Sequence, residues 1–415
     1  MWTDTLAKRA HGMALRDNLL SADIERMRAY RYQRLQSELA KRNIAGALLF
    51  DPVNVRYAVG ISNYAVYSLH SPIRAVYVPV SGACTVFDHD HEMFETLAGR
   101  NDLIGDIRPL PIYHYFYAGT YANEFAARLS SQVADLVRQA GKSKPVLVVD
   151  RYEPVLANAL NATGLAIDDA QVPLEQARSI KSNDEIACIL ASISVAEEAL
   201  ARIRDALVPG ITENELCGIL HQTNISRGGE WHEYRLVCAG GRTNPWGQES
   251  TDRPLRAGDL LIVDTGMIGP LGYFADVSRT FFCKPGNPTE EQKRLYRLAY
   301  RNIVYNMELL RPGLAFEDFS KQCWTLPEEF VGDRYPTPMH GVGMRGEWPM
   351  LAYPIDFDKR GVEGEFRPGM VLSMESYLGA DGGVEGVKLE EQVLITKTGY
   401  ERLSTFPYEE EMLAE

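Results

Sequence analysis

Two aspartates twelve residues apart, Asp264 and Asp276, flank the turn-forming stretch Gly269-Pro270-Leu271-Gly272. Asp264 closes an apolar run, Leu260-Leu261-Ile262-Val263, that reads as a buried strand. Asp276 stands in a second run, Tyr273 to Phe282, rich in aromatic and β-branched residues, so the pair reads as a hairpin. Strand alternation puts Asp276, Ser278 and Thr280 on one face. Carboxylates gathered on a hairpin repel unless they are protonated, hydrogen-bonded or neutralised by a cation. The bland alternative is an exposed hairpin with solvated acids.

Three later positions change that balance. His340 stands in "MHGVGM", where flanking glycines let the backbone approach a bound group, although a single histidine is as readily a structural hydrogen-bonder. Glu375 lies in the apolar run "GMVLSMESYLG", where an unpaired glutamate is costly to bury. Glu390 lies in "GVKLEEQVLIT", and alternation sends it to the opposite face from Glu391, so one of the two points inward. Taken singly, each acid can be a solvated strand residue. Together, four carboxylates and one imidazole form a hard, oxygen-rich donor set suited to two divalent cations with open positions for water.

The elements that must position these groups fall into two regions. Strands at "AGALLF", "AVYVPV" and "KPVLVVD" alternate with helical patterns, the first a helix from Ser21 to Arg42, which predicts an α/β domain over residues 1–178 with an arm at 1–20. Ser182 with Glu185 three residues on forms a capping box that opens a long helix, so the second domain runs over 179–415. It mixes long helices (Glu213 to Arg227, Glu290 to Leu310) with strands and hairpins, an α+β pattern. The 415 residues suffice for two or three domains, and 45% hydrophobic with 24% charged residues is an ordinary globular composition. A net charge of −13 without a basic stripe argues against nucleic acid as partner. No apolar stretch approaches a membrane span, and the N-terminus has charges where a signal peptide needs an apolar core. Six cysteines without metal or redox spacing read as reduced thiols of a cytoplasmic protein.

The order Asp, Asp, His, Glu, Glu in the contexts "VDTG", "ADVSRTF", "HGVG", "MES" and "VKLEEQVLIT" resembles the pita-bread metallohydrolase family of aminopeptidase P, prolidase, methionine aminopeptidase and creatinase. The resemblance covers residues 25 to 405 and implies an α+β pita-bread catalytic domain, a curved antiparallel sheet backed by helices, behind an α/β creatinase-type N-terminal domain, usually as a homodimer. It implies Asp264, Asp276, His340, Glu375 and Glu390 as ligands of two divalent ions, which can be Mn, Fe, Co or Zn. Asp276 and Glu390 bridge the ions in that reading, and Glu375 doubles as the base that takes the proton of water.

Within the family, peptidases carry one histidine before the ligand hairpin and another after the "HGxG" histidine; this chain has Asn244-Pro245-Trp246 and Arg345-Gly346-Glu347-Trp348-Pro349 there. The segments "GGEWHEYRLVCAGGRTNPWGQES", "DPVNVRY" and "RYPTPMHGVGMRGEWP", with the twelve-residue spacing, resemble the metallopeptidase-like dimethylsulfoniopropionate lyases instead, and Tyr335 matches an active-site tyrosine of that branch. Two departures stand against lyase chemistry. The lyases carry an aspartate two residues after the first ligand, where this chain has Gly266, and another six residues after the ligand histidine, where it has Gly346. The second is the base that removes the substrate's α-proton, and Glu347 is its immediate neighbour. Hydrolysis of a small amide, amidine or Xaa-Pro-like dipeptide asks less: Glu375 as base, and Glu347 or Tyr335 as donor to the leaving nitrogen. The expectation is a hydrolase of a C–N bond in a small polar molecule, with dimethylsulfoniopropionate lyase and a non-catalytic metal-retaining binder as alternatives. Tyr64, Tyr67, His70, Trp231, His232, Trp246 and Trp348 are candidates to line the substrate pocket, against ordinary packing. His89 and His91 in "FDHDHE" read as structural.

Overall fold

The computed structural model describes residues 21–90, 101–139, 141 and 145–414. The arm at 1–20 and His91 lie outside the described residues. The chain forms two compact units that divide at Arg178 and Ser179, and the described residues before Ile24 group with the second. Among the described residues no helix is long and apolar enough to cross a membrane.

The first unit, Ile24–Arg178, is built on a six-stranded mixed sheet in the order β4-β3-β2-β1-β5-β6. Its strands are β1 (Gly46–Leu49), β2 (Arg74–Pro79), β3 (Cys84–Asp88), β4 (Ile104–Pro109), β5 (Val146–Val149) and β6 (Ala166–Asp169). The helix Ala122–Gln139 carries Ala126, Leu129, Val133 and Val137 at three- and four-residue spacing, and that stripe shares a core with Leu48, Leu147 and Val149.

The second unit opens with the helix Asn183–Ala206. Ser182 Oγ accepts from the Glu185 N–H at 3.3 Å, and the Glu185 carboxylate accepts from the Ser182 N–H at 2.8 Å, the capping box read from the sequence. Eleven strands follow in three sheets: β7 (Trp231–His232), β8 (Val237–Ala239), β9 (Leu260–Asp264), β10 (Met267–Ile268), β11 (Phe274–Ala275), β12 (Ser278–Phe282), β13 (Met339–Val342), β14 (Gly346–Leu351), β15 (Val371–Gly379), β16 (Gly386–Ile395) and β17 (Tyr400–Arg402). Strands β9 and β12 pair antiparallel with Ser278 opposite Asp264, so the expected hairpin forms; its tip is a separate short pairing of β10 with β11.

The ribbon β15–β16 decides what the site contains. Its register sets Glu375 opposite Glu390 and Tyr377 opposite Lys388. One face presents Leu372, Met374, Leu378, Val387, Leu389 and Val393, which share a core with Leu295, Tyr296, Ala299 and Ile303 of the helix Glu290–Glu308. Alternation therefore sends Ser373, Glu375, Tyr377, Lys388 and Glu390 to the other face. That face is buried too. A buried polar face is stable only if each group on it finds a partner.

Candidate metal centre

Four elements deliver the polar groups to one place. Asp276 follows β11, His340 lies on β13, Glu375 on β15 and Glu390 on β16, and one donor atom of each lies within 4.8 Å of the others. β13 pairs with β15 so that His340 sits opposite Ser373 and faces the same side as Glu375. The imidazole Nε2 lies 3.1 Å from Glu375 Oε1 and 3.4 Å from Asp276 Oδ2. Its Nδ1 lies 2.9 Å from the Gly341 carbonyl. That carbonyl can take the Nδ1 proton, so that with a cation at the carboxylates Nε2 would be left to serve as the ligand atom.

Asp264, at the end of β9, is not in that group of four but adjoins it. The Tyr234 hydroxyl lies 3.0 Å from Asp264 Oδ1 and 2.7 Å from Asp276 Oδ1, tying the two hairpin acids together. Lys388 Nζ lies 3.4 Å from Asp264 Oδ2, 2.6 Å from Glu375 Oε2 and 3.2 Å from Glu390 Oε2. Glu390 also accepts from Ser278 Oγ at 2.6 Å and from Ser373 Oγ.

The electrostatics show the charge that the cluster carries. Burial first, then mutual repulsion among the acids, holds Asp264 and Asp276 above the usual carboxylate range. Glu375 is pushed up to about 7 by burial and by Glu390. Burial also pushes Glu390 upward, but Lys388 and the hydrogen bonds it receives outweigh that and hold it at about 2. Burial works against a proton on His340, yet its bonds to Asp276 and Glu375 raise its pKa well above the ordinary value. Four buried carboxylates against one lysine is a surplus of negative charge, and three of the four are held above the usual carboxylate range. Divalent cations fit this donor set, since oxygen-rich sites with one imidazole hold them and would relieve both features.

The remaining expected residues divide. Tyr335 and Trp246 belong here: both pack against Cys238, Ile262 and Tyr377, and the Lys388 ammonium lies 5.0 Å from the Tyr335 ring centre and 5.5 Å from that of Trp246. Glu347 does not join the cluster. Its carboxylate is buried, 2.9 Å from Lys181 Nζ, and accepts from the Met344 N–H at 3.0 Å. Gly346 does face it: a Cβ there would lie 3.8 Å from Cε1 and Nδ1 of His340. The segment is strand β14, and alternation turns residues 346 and 347 to opposite faces. Trp348 packs edge-on to Phe316, ring centres 5.2 Å apart, at the margin of the hydrophobic core. His232 stacks on His221 at 4.0 Å with Nδ1 3.0 Å from the Thr265 carbonyl, and burial lowers its pKa to about 4. Trp231 is half-buried beside it and donates to Glu233 at 3.3 Å. Tyr64, Tyr67 and His70 lie on or next to the short helix Ala65–His70 of the first unit, exposed, with the Tyr67 and Tyr117 hydroxyls hydrogen-bonded. His89 pairs with Asp88 at 3.0 Å and with the edge of Tyr64.

Glu390 and Glu391 give a test of the register. Arg279 Nη2 donates to Glu391 Oε1 at 2.7 Å, and Ser404 Oγ donates to its other oxygen, so Glu391 is engaged away from the cluster. Glu390→Gln is expected to lose divalent metal while Glu391→Gln keeps it, measured as bound metal after desalting. Glu391→Gln should instead cost about 3 kcal/mol of stability, because Arg279 keeps a buried charge whose partner is gone. Metal lost from Glu391→Gln alone would move the register by one residue.

Comparison with known proteins now bears on this geometry. Metallopeptidase family M24 matches residues 187–397. The chain is 35% identical over 392 residues, 93% of its length and 87% of the relative's, to the dimethylsulfoniopropionate lyase DddP of Roseovarius nubinhibens, and 33% identical to that of Roseobacter denitrificans. It is 28% identical over 245 residues, 57% of this chain, to the Xaa-Pro dipeptidase of Pyrococcus horikoshii. Among solved structures it resembles the dipeptidase PepE of Mycobacterium ulcerans (TM-score 0.74, 21% identity, 94% of this chain and 98% of that one). The prolidase of Pyrococcus horikoshii superposes with a TM-score of 0.71 at 20% identity, over 91% of this chain and 99% of that one. These likenesses establish the pita-bread fold behind an α/β N-terminal domain.

Proposed function

The chain belongs to metallopeptidase family M24, and we propose that within it the protein is a dinuclear-metal hydrolase of a C–N bond in a small polar substrate. In this reading Asp264, Asp276, His340, Glu375 and Glu390 would hold the ions. When bound there, the ions supply charge for the developing oxyanion and make a water molecule more acidic. Glu375 takes the proton from that water, from a buried position within reach of the other ligands. Tyr335 supplies the proton for the leaving nitrogen; Glu347, held by Lys181 on the other face of β14, is left to brace the strand. The rings of Trp246 and Tyr335, which flank the Lys388 ammonium, suit a small zwitterionic molecule better than a long peptide. The homodimer implied by the family resemblance and the cytoplasmic setting read from the six unpaired cysteines complete the proposal.

The observation that carries this reading is Gly346. The position lies against the His340 imidazole, where an acid would serve as base for elimination, and it holds no side chain. The second reading, dimethylsulfoniopropionate lyase, is favoured by 35% identity across 93% of the chain. A substrate panel on metal-loaded protein separates the two. Ammonia or amine release from one of a set of small amides, amidines and Xaa-Pro dipeptides is expected, with negligible acrylate from dimethylsulfoniopropionate. Acrylate and dimethyl sulfide without any amine release would reverse the order of the two readings.

A further inference from the structure

The space beside Asp264 already holds a positive charge that the chain itself supplies. Lys388 is fully buried, and Nζ lies 2.6 Å from Glu375, 3.2 Å from Glu390 and 3.4 Å from Asp264. It also donates to Ser278 Oγ at 3.0 Å. Its backbone is pinned on both sides to Thr280 Oγ1, which accepts from the Lys388 N–H at 3.0 Å and donates to its carbonyl at 2.7 Å. The ring of Tyr335 lies on the ammonium's flank at 5.0 Å and that of Trp246 at 5.5 Å. The donor atoms that converge belong to Asp276, His340, Glu375 and Glu390. Asp264 stands outside them, with Tyr234 on one oxygen and Lys388 on the other.

From this arrangement we infer that Lys388 is an internal cation that sets the affinity of the second metal ion, an inference that rests on the two-ion reading above. One divalent ion enters at the four converging donors, of which Glu375 and Glu390 also hold the ammonium through Oε2. The second requires Asp264 as well, and reaches it only when the ammonium also gives up its contact to Asp264. A buried ammonium and a divalent ion sharing three carboxylates repel strongly, because the surroundings screen them poorly. Lys388 thereby keeps the acids folded together before metal arrives and weakens the second binding step. The two sites are unequal by construction.

The test titrates metal-free wild type, Lys388→Met and Lys388→Arg with manganese(II) alone by equilibrium dialysis, reading bound metal by atomic spectroscopy. Wild type is expected to fill one equivalent at a free concentration at least tenfold below the second. Lys388→Met should tighten the second equivalent at least tenfold and the first by a smaller factor; Lys388→Arg, which keeps the charge, should retain the wild-type separation. The metal-free Lys388→Met protein should also melt below wild type and recover on taking up two equivalents. Should it not fold, Lys388→Gln repeats the measurement with a polar side chain. Two equal equivalents in wild type, or an unmoved second step in the neutral variant, overturn the role of Lys388 and leave the two-ion reading standing. A single equivalent in every protein overturns both.

Discussion

Asp276→Ala is expected to remove bound divalent metal and activity together. Asp276 meets the cluster through both oxygens: Oδ2 lies 3.4 Å from His340 Nε2, and Oδ1 accepts from Tyr234 at 2.7 Å. Its own N–H donates to Gln392 Oε1 at 3.2 Å, which fixes the residue between the hairpin and β16. In the two-ion reading this carboxylate serves both ions, so its loss weakens both sites. Bound metal should fall below about a tenth of an ion per chain under conditions that load wild type, and activity by about 10³ or more, since charge stabilisation and water activation are lost at once. The fold should survive. Burial and the neighbouring Glu390 already hold the Asp276 pKa up, so taking this acid out of the metal-free protein relieves repulsion. The metal-free variant is expected to melt no lower than metal-free wild type. Full metal occupancy in Asp276→Ala would sink the assignment, and a lower melting point with full occupancy would make Asp276 a structural residue.

The parts of this site that the sequence announces are those with a local period. Asp264 ends an apolar run, and Glu375 and Glu390 interrupt apolar alternation, so each could be placed on a strand face from its neighbours alone. The same period-two argument reaches Lys388 and Ser373, each two residues before a ligand candidate and therefore on its face, and they could have been found that way. Tyr234 could not. Its hydroxyl meets Asp264 and Asp276 across separate strands, a contact that no spacing in the chain encodes. That tyrosine also explains Gly266, which sequence alone presents as a missing acid. Gly266 has φ +44°, and a Cβ on it would fall 2.4 Å from the Tyr234 ring. Only a residue without a side chain fits beneath that ring. Strand β14 was illegible for another reason: glycine at 346 and proline at 349 are turn residues by composition. Only its pairing with β13 shows that Gly346 faces the cluster and Glu347 faces away. The register that sets Glu375 against Glu390 is likewise a product of two strands brought together, beyond what either one specifies.

Gly346→Asp is expected to raise elimination activity well above the parent's. A Cβ at 346 meets the His340 ring at 3.8 Å, ordinary van der Waals contact, and the position is exposed, so aspartate enters without displacing its neighbours. Its carboxylate then lies beside the imidazole, where it can reach the α-proton of a small substrate held at the centre. General-base assistance is typically worth about 10²–10⁴ in rate, so acrylate and dimethyl sulfide should rise at least about a hundredfold over the parent. Adding Gly266→Asp should not help. The positive φ and the Tyr234 ring oppose any side chain there, and the double variant should be less stable by about 2 kcal/mol or more. Gly346→Ala is the control, since it fills the same space without a base and should stay at the parent's level. Ample acrylate from the unmodified protein would defeat the hydrolase reading. The base would then have to be a carboxylate already in place. Glu347 is held by Lys181 on the far face of β14, which leaves Glu375, with its pKa near 7, as the group to mutate next.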